Sequence, residues 1–288
     1  MSAGQPVYNI PRSIAACMTG IEWSDYSANH WVGCSEIPAA TEAKSGCSIC
    51  YAKAFAARRL KVGWGAKQPR RPVSGFRGRM ERLNRLAQKT GLPFAVFSMS
   101  LGDWLDAEVD QTLRLDFIEV VESTPNLTWL LLTHRPHLIS KLAPASWRAT
   151  LPSNIWPGVT VDHRLHTRRW DELASWWGDT GRAWVSAEPL ASSLSGISFA
   201  GAAAIILGGA SNTNDPDWAL DPAWVQEMIE EHASRLFFKQ WGVWREGQHM
   251  SKKLAGREID GAKFDRTPWP RHREILREAA KQPAATVA

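Results

Sequence analysis

The sequence predicts an α/β fold consisting of a single partial or complete (β/α) barrel with about seven parallel strands. Short apolar runs, rich in β-branched and aromatic residues, alternate with helical or turn-rich segments along most of the 288 residues. No evident linker interrupts this alternation, and one barrel commonly takes about 250 residues. We therefore expect one barrel rather than two smaller domains.

Each element follows from its pattern. The buried-type runs predict strands at Thr19–Trp23, Ala95–Ser100, Trp129–Thr133, Ile155–Val161, Ala183–Ala187, Ala203–Leu207 and Leu236–Lys239. Helices are predicted near Tyr51–Lys61, Arg77–Lys89, Asp110–Ser123, Leu165–Trp177 and Pro222–Ala233. The expected organisation is an N-terminal extension (1–18), the barrel (19–244) with a cysteine loop (33–52), and a C-terminal extension, lid or tail (245–288).

The composition is that of an ordinary globular protein, with 44% hydrophobic and 22% charged residues. No apolar run approaches the roughly 18 residues of a membrane span, so no membrane partner is expected. The N-terminal "MSAGQPVYNIPRS" lacks the basic-then-apolar pattern of a secretory signal. We expect a cytoplasmic protein, in which clustered cysteines favour metal binding or catalysis over a disulfide framework.

Positive charge is concentrated in one segment. Between Arg58 and Lys89 there are eleven Lys or Arg residues and one acid, Glu81, so this segment has a net charge of +10. The whole chain has a net charge of +5, so the residues outside the segment sum to −5. Such a concentration suits a polyanion such as nucleic acid. The alternative is a solvated arginine-rich face without a partner. The nucleic-acid-binding candidates are Arg58, Arg59, Lys61, Arg70, Arg71, Arg77 and Arg79.

Polar residues collect where the predicted strands end, which is where α/β folds bind their ligands. Individually these residues are also typical of helix caps and turns. Their shared placement is the stronger signal. They are Ser24 and Asp25; Ser98, Ser100 and Asp103; His134 and Arg135; Asp162 and His163; Ser186 and Glu188; Gly208 and Gly209; and Lys239 and Gln240.

Three of the four cysteines follow the first predicted strand, as C-x12-C-x2-C at Cys34, Cys47 and Cys50. Three ligands with an open position suit a metal centre that must bind something else. One reading is a [4Fe–4S] cluster with one iron left free for a small molecule. The other is zinc, with His30 as the fourth ligand.

Three cysteines after the first strand of an α/β barrel resemble the radical S-adenosylmethionine superfamily, although the commonest spacing there is C-x3-C-x2-C. A narrower resemblance is to a phage- and prophage-borne three-cysteine family with a radical-SAM-like barrel and no secure general activity. The blocks that carry it are, in order, "TGIEWSDYSANHWVGC", "GCSICYAKAFAARRL", "LLLTHRP", "WVSAEPL", "IILGGASN" and "LFFKQWGVW". The chain departs from that family in its longer cysteine loop and in Ala210, where an acidic residue is common.

The resemblance implies cofactors and roles. Cys34, Cys47 and Cys50 would ligate a [4Fe–4S] cluster, and S-adenosylmethionine, cleaved with an electron from an external donor, would give a 5′-deoxyadenosyl radical. The cofactor-binding candidates are Ser98, Ser100, Asp103, Asp162, Glu188, Gly208 and Gly209. The substrate-side candidates are His134, Arg135 and Lys239.

The substrate expected from the basic segment is a nucleic-acid base or nucleotide, as in modification of phage DNA or RNA, in the host cytoplasm if the protein is phage-encoded. The alternative is a non-catalytic nucleic-acid-binding protein with zinc held by His30, Cys34, Cys47 and Cys50. A third reading is a cluster used only for structure or electron transfer.

Overall fold

The computed structural model describes residues 10–15, 18–37 and 44–281. Seven parallel strands form one sheet in the order in which they occur in the chain. They are β1 (Tyr26–Ala28), β2 (Phe94–Ser98), β3 (Leu127–Thr133), β4 (Ile155–Thr160), β5 (Trp184–Ala187), β6 (Ala204–Gly208) and β7 (Leu236–Gln240). The two outermost strands, β1 and β7, are not paired with each other, so the predicted barrel is a partial one. The predicted α/β class and the seven parallel strands are confirmed.

Helices occupy most of the connections between the strands. They are α1 (Arg12–Ala15), α2 (Tyr51–Phe55, continued by a π-helical turn over Ala56–Leu60), α3 (Phe76–Thr90), α4 (Gln111–Ser123), α5 (Ile139–Leu142), α6 (Ala145–Ala149), α7 (Arg168–Trp177), α8 (Pro222–His232), α9 (Lys252–Ala255) and α10 (Arg273–Lys281). Two short antiparallel pairs, Trp31–Val32 with Arg71–Pro72 and Trp244–Arg245 with Gln248–His249, lie outside the main sheet. None of the described helices is long and apolar enough to cross a membrane.

The first strand is the one misplaced element. The apolar run Thr19–Trp23 is a loop, and β1 begins at Tyr26. Of this loop only Trp23 is buried. Just after it, Asp25, fully inside, accepts hydrogen bonds from the backbone N–H groups of Ala95 (2.9 Å) and His272 (2.7 Å) and so anchors the loop. The apolar Ile21 and the buried Trp23 make the run look like a strand in the sequence, whereas the strand that pairs with β2 starts at Tyr26, three residues after Trp23.

Alternate strand residues face opposite layers, as a parallel sheet covered on both faces requires. Residues such as Val96, Leu131 and Ile205 pack outward against the helices. The concave face carries a second apolar cluster built around Trp23, Trp184 and Trp269. The interior of the barrel is therefore packed at its amino end and leaves space only at the carboxyl end.

The C-terminal segment seals that packed end. Trp269 is buried among Trp23, Trp156 and Trp184, with ring centroids 5.5 to 6.4 Å apart, and its indole N–H donates to the Trp23 carbonyl oxygen at 2.8 Å. Just before it, the chain pairs with β7 through the Phe237–Asp265 bridge, which covers that edge of the sheet. Residues near the C-terminus thus cover the β7 edge and the packed end of the partial barrel.

Candidate functional site

A cavity of about 610 Å³ opens at the carboxyl ends of the strands, a size typical of a small-molecule or cofactor site. Every strand contributes to its lining at or just beyond its last residues. The contributing residues are Ser27, Phe97, Met99, Leu132, His134, Thr160, Ser186, Glu188, Gly209 and Lys239. The cavity therefore lies where the strand-end pattern predicts a site.

Cys34, Cys47 and Cys50 all line this cavity, and none is in a disulfide. Burial raises the pKa of each thiol, that of Cys34 to about 12. Cys47 and Cys50 are close enough for the charge of one to raise the pKa of the other. Within residues 10–15, 18–37 and 44–281, no three His, Cys, Asp or Glu side chains surround one point as ligands of a single ion.

Arg135 binds the first cysteine directly. Its Nη1 donates to Cys34 Sγ at 3.4 Å, and its Nη2 donates to Ser35 Oγ at 2.9 Å. The guanidinium is buried and lowers the pKa of the Cys34 thiol against the larger effect of burial. Arg135, which the sequence predicts as a substrate-side candidate, therefore contacts the cysteine loop.

Asp103 holds Arg135 in this position. Its two carboxylate oxygens accept from Arg135 Nη1 (2.8 Å), Thr133 Oγ1 (2.7 Å) and the backbone N–H groups of Leu105 (2.9 Å) and His134 (3.1 Å). A carboxylate can accept about four hydrogen bonds, and the four donors from the chain itself use this capacity. The geometry assigns Asp103 to positioning Arg135 rather than to a ligand's ammonium group.

Asp162 holds the other end of the cysteine loop. Its Oδ2 accepts from the Gly46 backbone N–H at 2.7 Å, while Oδ1 lies 2.6 Å from His166 Nδ1 and accepts from Arg169 Nη1 at 3.2 Å. Burial raises the pKa of Asp162, but these partners outweigh it and lower the pKa to about 2. A Cβ at Gly46 would lie 2.9 Å from Pro189 Cδ and 3.3 Å from Asp162 Oδ2, so only glycine fits this close approach.

Ser100 belongs to a polar group on the cavity wall. Its hydroxyl lies 2.8 Å from Ser27 Oγ and accepts from Asn29 Nδ2 at 3.0 Å, and its carbonyl accepts from Tyr51 Oη at 2.9 Å. The Tyr51 ring lines the cavity and is partly exposed, while burial of its hydroxyl raises the pKa of that group. Ser98, in contrast, does not line the cavity; its hydroxyl donates to the Ala28 carbonyl at 3.4 Å.

Glu188 and Lys239 form an ion pair across the β5 and β7 ends, and both line the cavity. Gly209 is required by the fold, since a Cβ there would lie 2.1 Å from the Trp241 carbonyl oxygen. Gly208, at a register shift between β6 and β7, is not part of the lining.

His134 presents a neutral imidazole to the cavity. Burial, and next the charge of Arg169, lower its pKa to about 4. Its Nδ1 is buried and has no hydrogen-bond partner among the described residues. A buried ring nitrogen without a partner can serve a ligand bound in the cavity.

His30 lies on the other side of β1 from the cysteines. Its ring packs against Phe76, with the centroids 4.6 Å apart, and its Nε2 lies 2.8 Å from Asp116 Oδ2. It is absent from the cavity lining. The fourth ligand of the proposed zinc site is therefore separated from the cysteines.

The basic candidates divide into two groups. Arg70 is buried and paired with Asp106 at 2.7 Å, and Arg77 is paired with Asp116 and with Glu119. These two are used within the fold. The others are exposed: Arg71 donates to the Leu60 carbonyl, Arg79 donates to the Ser74 carbonyl, and the side chains of Arg58, Arg59 and Lys61 have no ion pair or hydrogen bond to another described residue.

Sequence reasoning did not select Asn29, Phe55, Asp106, His166 or Arg169. Asp106, fully buried, accepts from both the backbone N–H and the hydroxyl of Ser35. A sequence signal existed for His166, which lies four residues after Asp162 and can meet it on one helical turn. The contacts of Asp106 with the cysteine loop depend on tertiary structure alone.

Fold and site define an α/β protein with a thiol-lined cavity at the carboxyl ends of a parallel partial barrel. The chain belongs to the family DUF5131, described as proteins of unknown function, whose model matches residues 18–268. No curated protein matches the sequence.

Among solved structures, the chain is similar to variants of spore photoproduct lyase. One, with bound AdoMet and dinucleoside spore photoproduct, shares 11% identity over 81% of this chain and 71% of that chain, with a TM-score of 0.39. Another shares 11% identity over 96% of this chain and 84% of that chain, with a TM-score of 0.42. At these scores no functional assignment depends on the similarity.

Proposed function

We propose that the chain is a radical S-adenosylmethionine enzyme whose [4Fe–4S] cluster is held by Cys34, Cys47 and Cys50, and that it acts on a nucleic-acid base or nucleotide. One observation carries the proposal: three unpaired thiols line a single cavity at the carboxyl ends of seven parallel strands. The phage- and prophage-borne family that the sequence blocks resemble is in keeping with it.

The donor set fits a cluster better than zinc. Each cysteine of a cluster binds a different iron, so the thiols need not surround one point, and three thiolates leave the fourth iron free. Zinc needs four ligands within about 2.0–2.3 Å of one ion. The described side chains form no such set, and His30 lies beyond β1.

The cluster, when bound, supplies the electron that cleaves S-adenosylmethionine into methionine and a 5′-deoxyadenosyl radical, with an external donor restoring it. The chain's own residues position and enclose this chemistry. Arg135 donates to Cys34, and Asp162 holds the Gly46 N–H before Cys47. An N–H···S hydrogen bond to a ligand is one of the ways in which a protein sets a cluster's reduction potential.

Of the cofactor-binding candidates, Ser100, Asp103, Glu188 and Gly209 line the cavity. Asp103 is engaged by Arg135, and the side chains of Ser100 and Glu188 are retained for S-adenosylmethionine. Lys239 beside Glu188, and His134 with its unpartnered Nδ1, are retained on the substrate side. A nucleic-acid substrate is supported by the exposed charges of Arg58, Arg59 and Lys61 on and beside α2. The reduced thiols suit a cytoplasmic location, in the host if the protein is phage-encoded.

The test is cleavage of S-adenosylmethionine by anaerobically reconstituted, reduced protein. We expect 5′-deoxyadenosine from the unaltered chain, none from Cys47→Ala, and unchanged yield from Cys17→Ala, which removes the cysteine outside the motif. Equal yield from Cys47→Ala and the unaltered protein contradicts the proposal. If the protein holds iron and sulfide but does not cleave S-adenosylmethionine, the result would instead support a cluster used only for structure or electron transfer.

The zinc alternative is tested by His30→Gln. Because the ring packs against Phe76 away from the thiols, we expect the variant to retain the iron and sulfide of the unaltered chain. Loss of metal in this variant, with one zinc per unaltered chain, would support the non-catalytic zinc protein.

A further inference from the structure

An exposed stripe runs along α2 outward from the cavity. Tyr51 and Phe55 line the cavity and are 47% and 45% exposed, which is unusual for large apolar side chains. They are four residues apart and so lie on one helix face. Arg59, four residues further along the π-helical continuation, is also exposed. We call Tyr51, Phe55 and Arg59 the α2 stripe.

Within the part of the chain that the structure describes, neither aromatic ring of the stripe contacts another ring or a cation, and the Arg59 side chain has no ion pair or hydrogen bond. The Tyr51 hydroxyl is tied to the Ser100 carbonyl, which fixes that ring at the mouth. Exposed aromatic faces that are not used within the fold are available to a planar partner.

The α2 stripe offers two aromatic rings followed by a positive charge, and a polynucleotide strand offers bases and a negatively charged phosphate backbone to match them. Stacking on aromatic rings is tolerant of sequence, because every base has a π-face, whereas an arginine suits the phosphate between bases. Arg58 and Lys61 flank Arg59 and extend the positive charge. In a duplex the base faces are covered by their neighbours, so only an unpaired strand can use all three positions.

We propose that the α2 stripe binds an unpaired segment of a polynucleotide and delivers one of its bases to the cavity. This rests on the proposed function and narrows its substrate class from a nucleotide to a strand. From Tyr51 to Arg59 the stripe spans about 12 Å, at about 1.5 Å per helical residue, so binding should depend on strand length.

Binding is measured by fluorescence anisotropy with a labelled single strand of about twelve nucleotides, as DNA and as RNA, and with the matched DNA duplex. A mononucleotide serves as competitor. We expect the single strand to bind more tightly than the duplex and the mononucleotide to compete poorly. The DNA and RNA arms show which strand is preferred.

Phe55→Ala should weaken single-strand binding about five- to hundredfold, the usual loss for one stacked base. Phe55→Tyr keeps an aromatic ring at this position and should bind the strand as tightly as the unaltered protein. Trp176→Ala removes an exposed aromatic of α7 and is the control. Arg59→Gln should reduce the dependence of log K on log salt by about 0.7, whereas Arg168→Gln, which removes an exposed arginine of α7, should not.

Equal binding of strand and duplex, an effect of Phe55→Ala no larger than that of Trp176→Ala, or equal competition by the mononucleotide would overturn the inference. Its failure is distinct from that of the enzyme, because binding needs no cluster. Aromatic-dependent binding by a protein that does not cleave S-adenosylmethionine after reconstitution would sustain the surface and refute the enzyme, whereas cleavage activity without strand binding would do the reverse.

Discussion

Asp162 is the residue on which the position of the second half of the cysteine loop depends most. Its carboxylate is fully buried and holds Gly46, His166 and Arg169 together. Asp162→Asn keeps the size of the side chain but removes the charge. We expect it to destabilise the fold and to lower the iron content, because the chain before Cys47 is no longer held.

The magnitude follows from the lowered pKa. The fall from 3.8 to about 2 means that folding favours the ionised form by about 2 kcal/mol, at 1.36 kcal/mol per pKa unit. Leaving the mostly covered Arg169 guanidinium without its carboxylate can raise the loss to about 4 kcal/mol. Because the folded pKa is depressed, this stabilisation is complete above about pH 5 and disappears as the pH falls toward 2.

Urea unfolding at pH 7 measures the loss, with Asp171→Asn, an exposed carboxylate of α7, as the control. The free energy of unfolding should fall by about 2–4 kcal/mol for Asp162→Asn and by less than about 0.5 kcal/mol for the control. The difference between Asp162→Asn and the unaltered protein should shrink as the pH is lowered from 5 toward 3. Equal midpoints and slopes for the two variants, or a difference that grows in acid, would refute the role given to this carboxylate.

Three further outcomes are expected. Trp269→Ala should lower the free energy of unfolding by about 3–5 kcal/mol by emptying the packed end of the barrel. Trp176→Ala, which removes a partly exposed ring beneath Arg148, should cost only about 1 kcal/mol in the same urea titration. Gly46→Ala should reduce the iron content after reconstitution because its Cβ has no space, whereas Gly20→Ala, where nothing lies within 4 Å, should load normally. Arg135→Gln should shift the cluster's reduction potential, measured by electron paramagnetic resonance during a redox titration, because the hydrogen bond to the first cysteine is lost; an unchanged potential would remove that role.

The sequence was sufficient to predict six of the seven strands, because their apolar runs are buried by sheet pairing as well as by packing. The run Thr19–Trp23 has the same character for another reason: Trp23 packs inside the barrel as part of a loop. A periodicity argument measures burial and cannot separate these two cases. The misplaced first strand therefore lies where a loop anchored by the buried Trp23 takes the place of a strand.

Within the site, the sequence identified which residues lie at the strand ends but not what each one contacts. The sequence predicts Asp103 and Asp162 as cofactor-binding candidates, and in the structure their oxygens interact with Arg135, Gly46 and His166. These partners are between 4 and 116 residues away, and only the fold brings them together. His30 is a zinc-ligand candidate in the sequence because it precedes Cys34 by four residues. In the fold its ring packs against the helices, which sequence spacing alone does not reveal.

Iron and acid-labile sulfide, measured on protein purified without oxygen, test the central claim most directly. The account predicts about four irons and four sulfides per chain, lost in Cys34→Ala, Cys47→Ala and Cys50→Ala alike, since three thiolates hold one cluster. Stoichiometric zinc without sulfide, or a full complement of iron in any of these three variants, would contradict it.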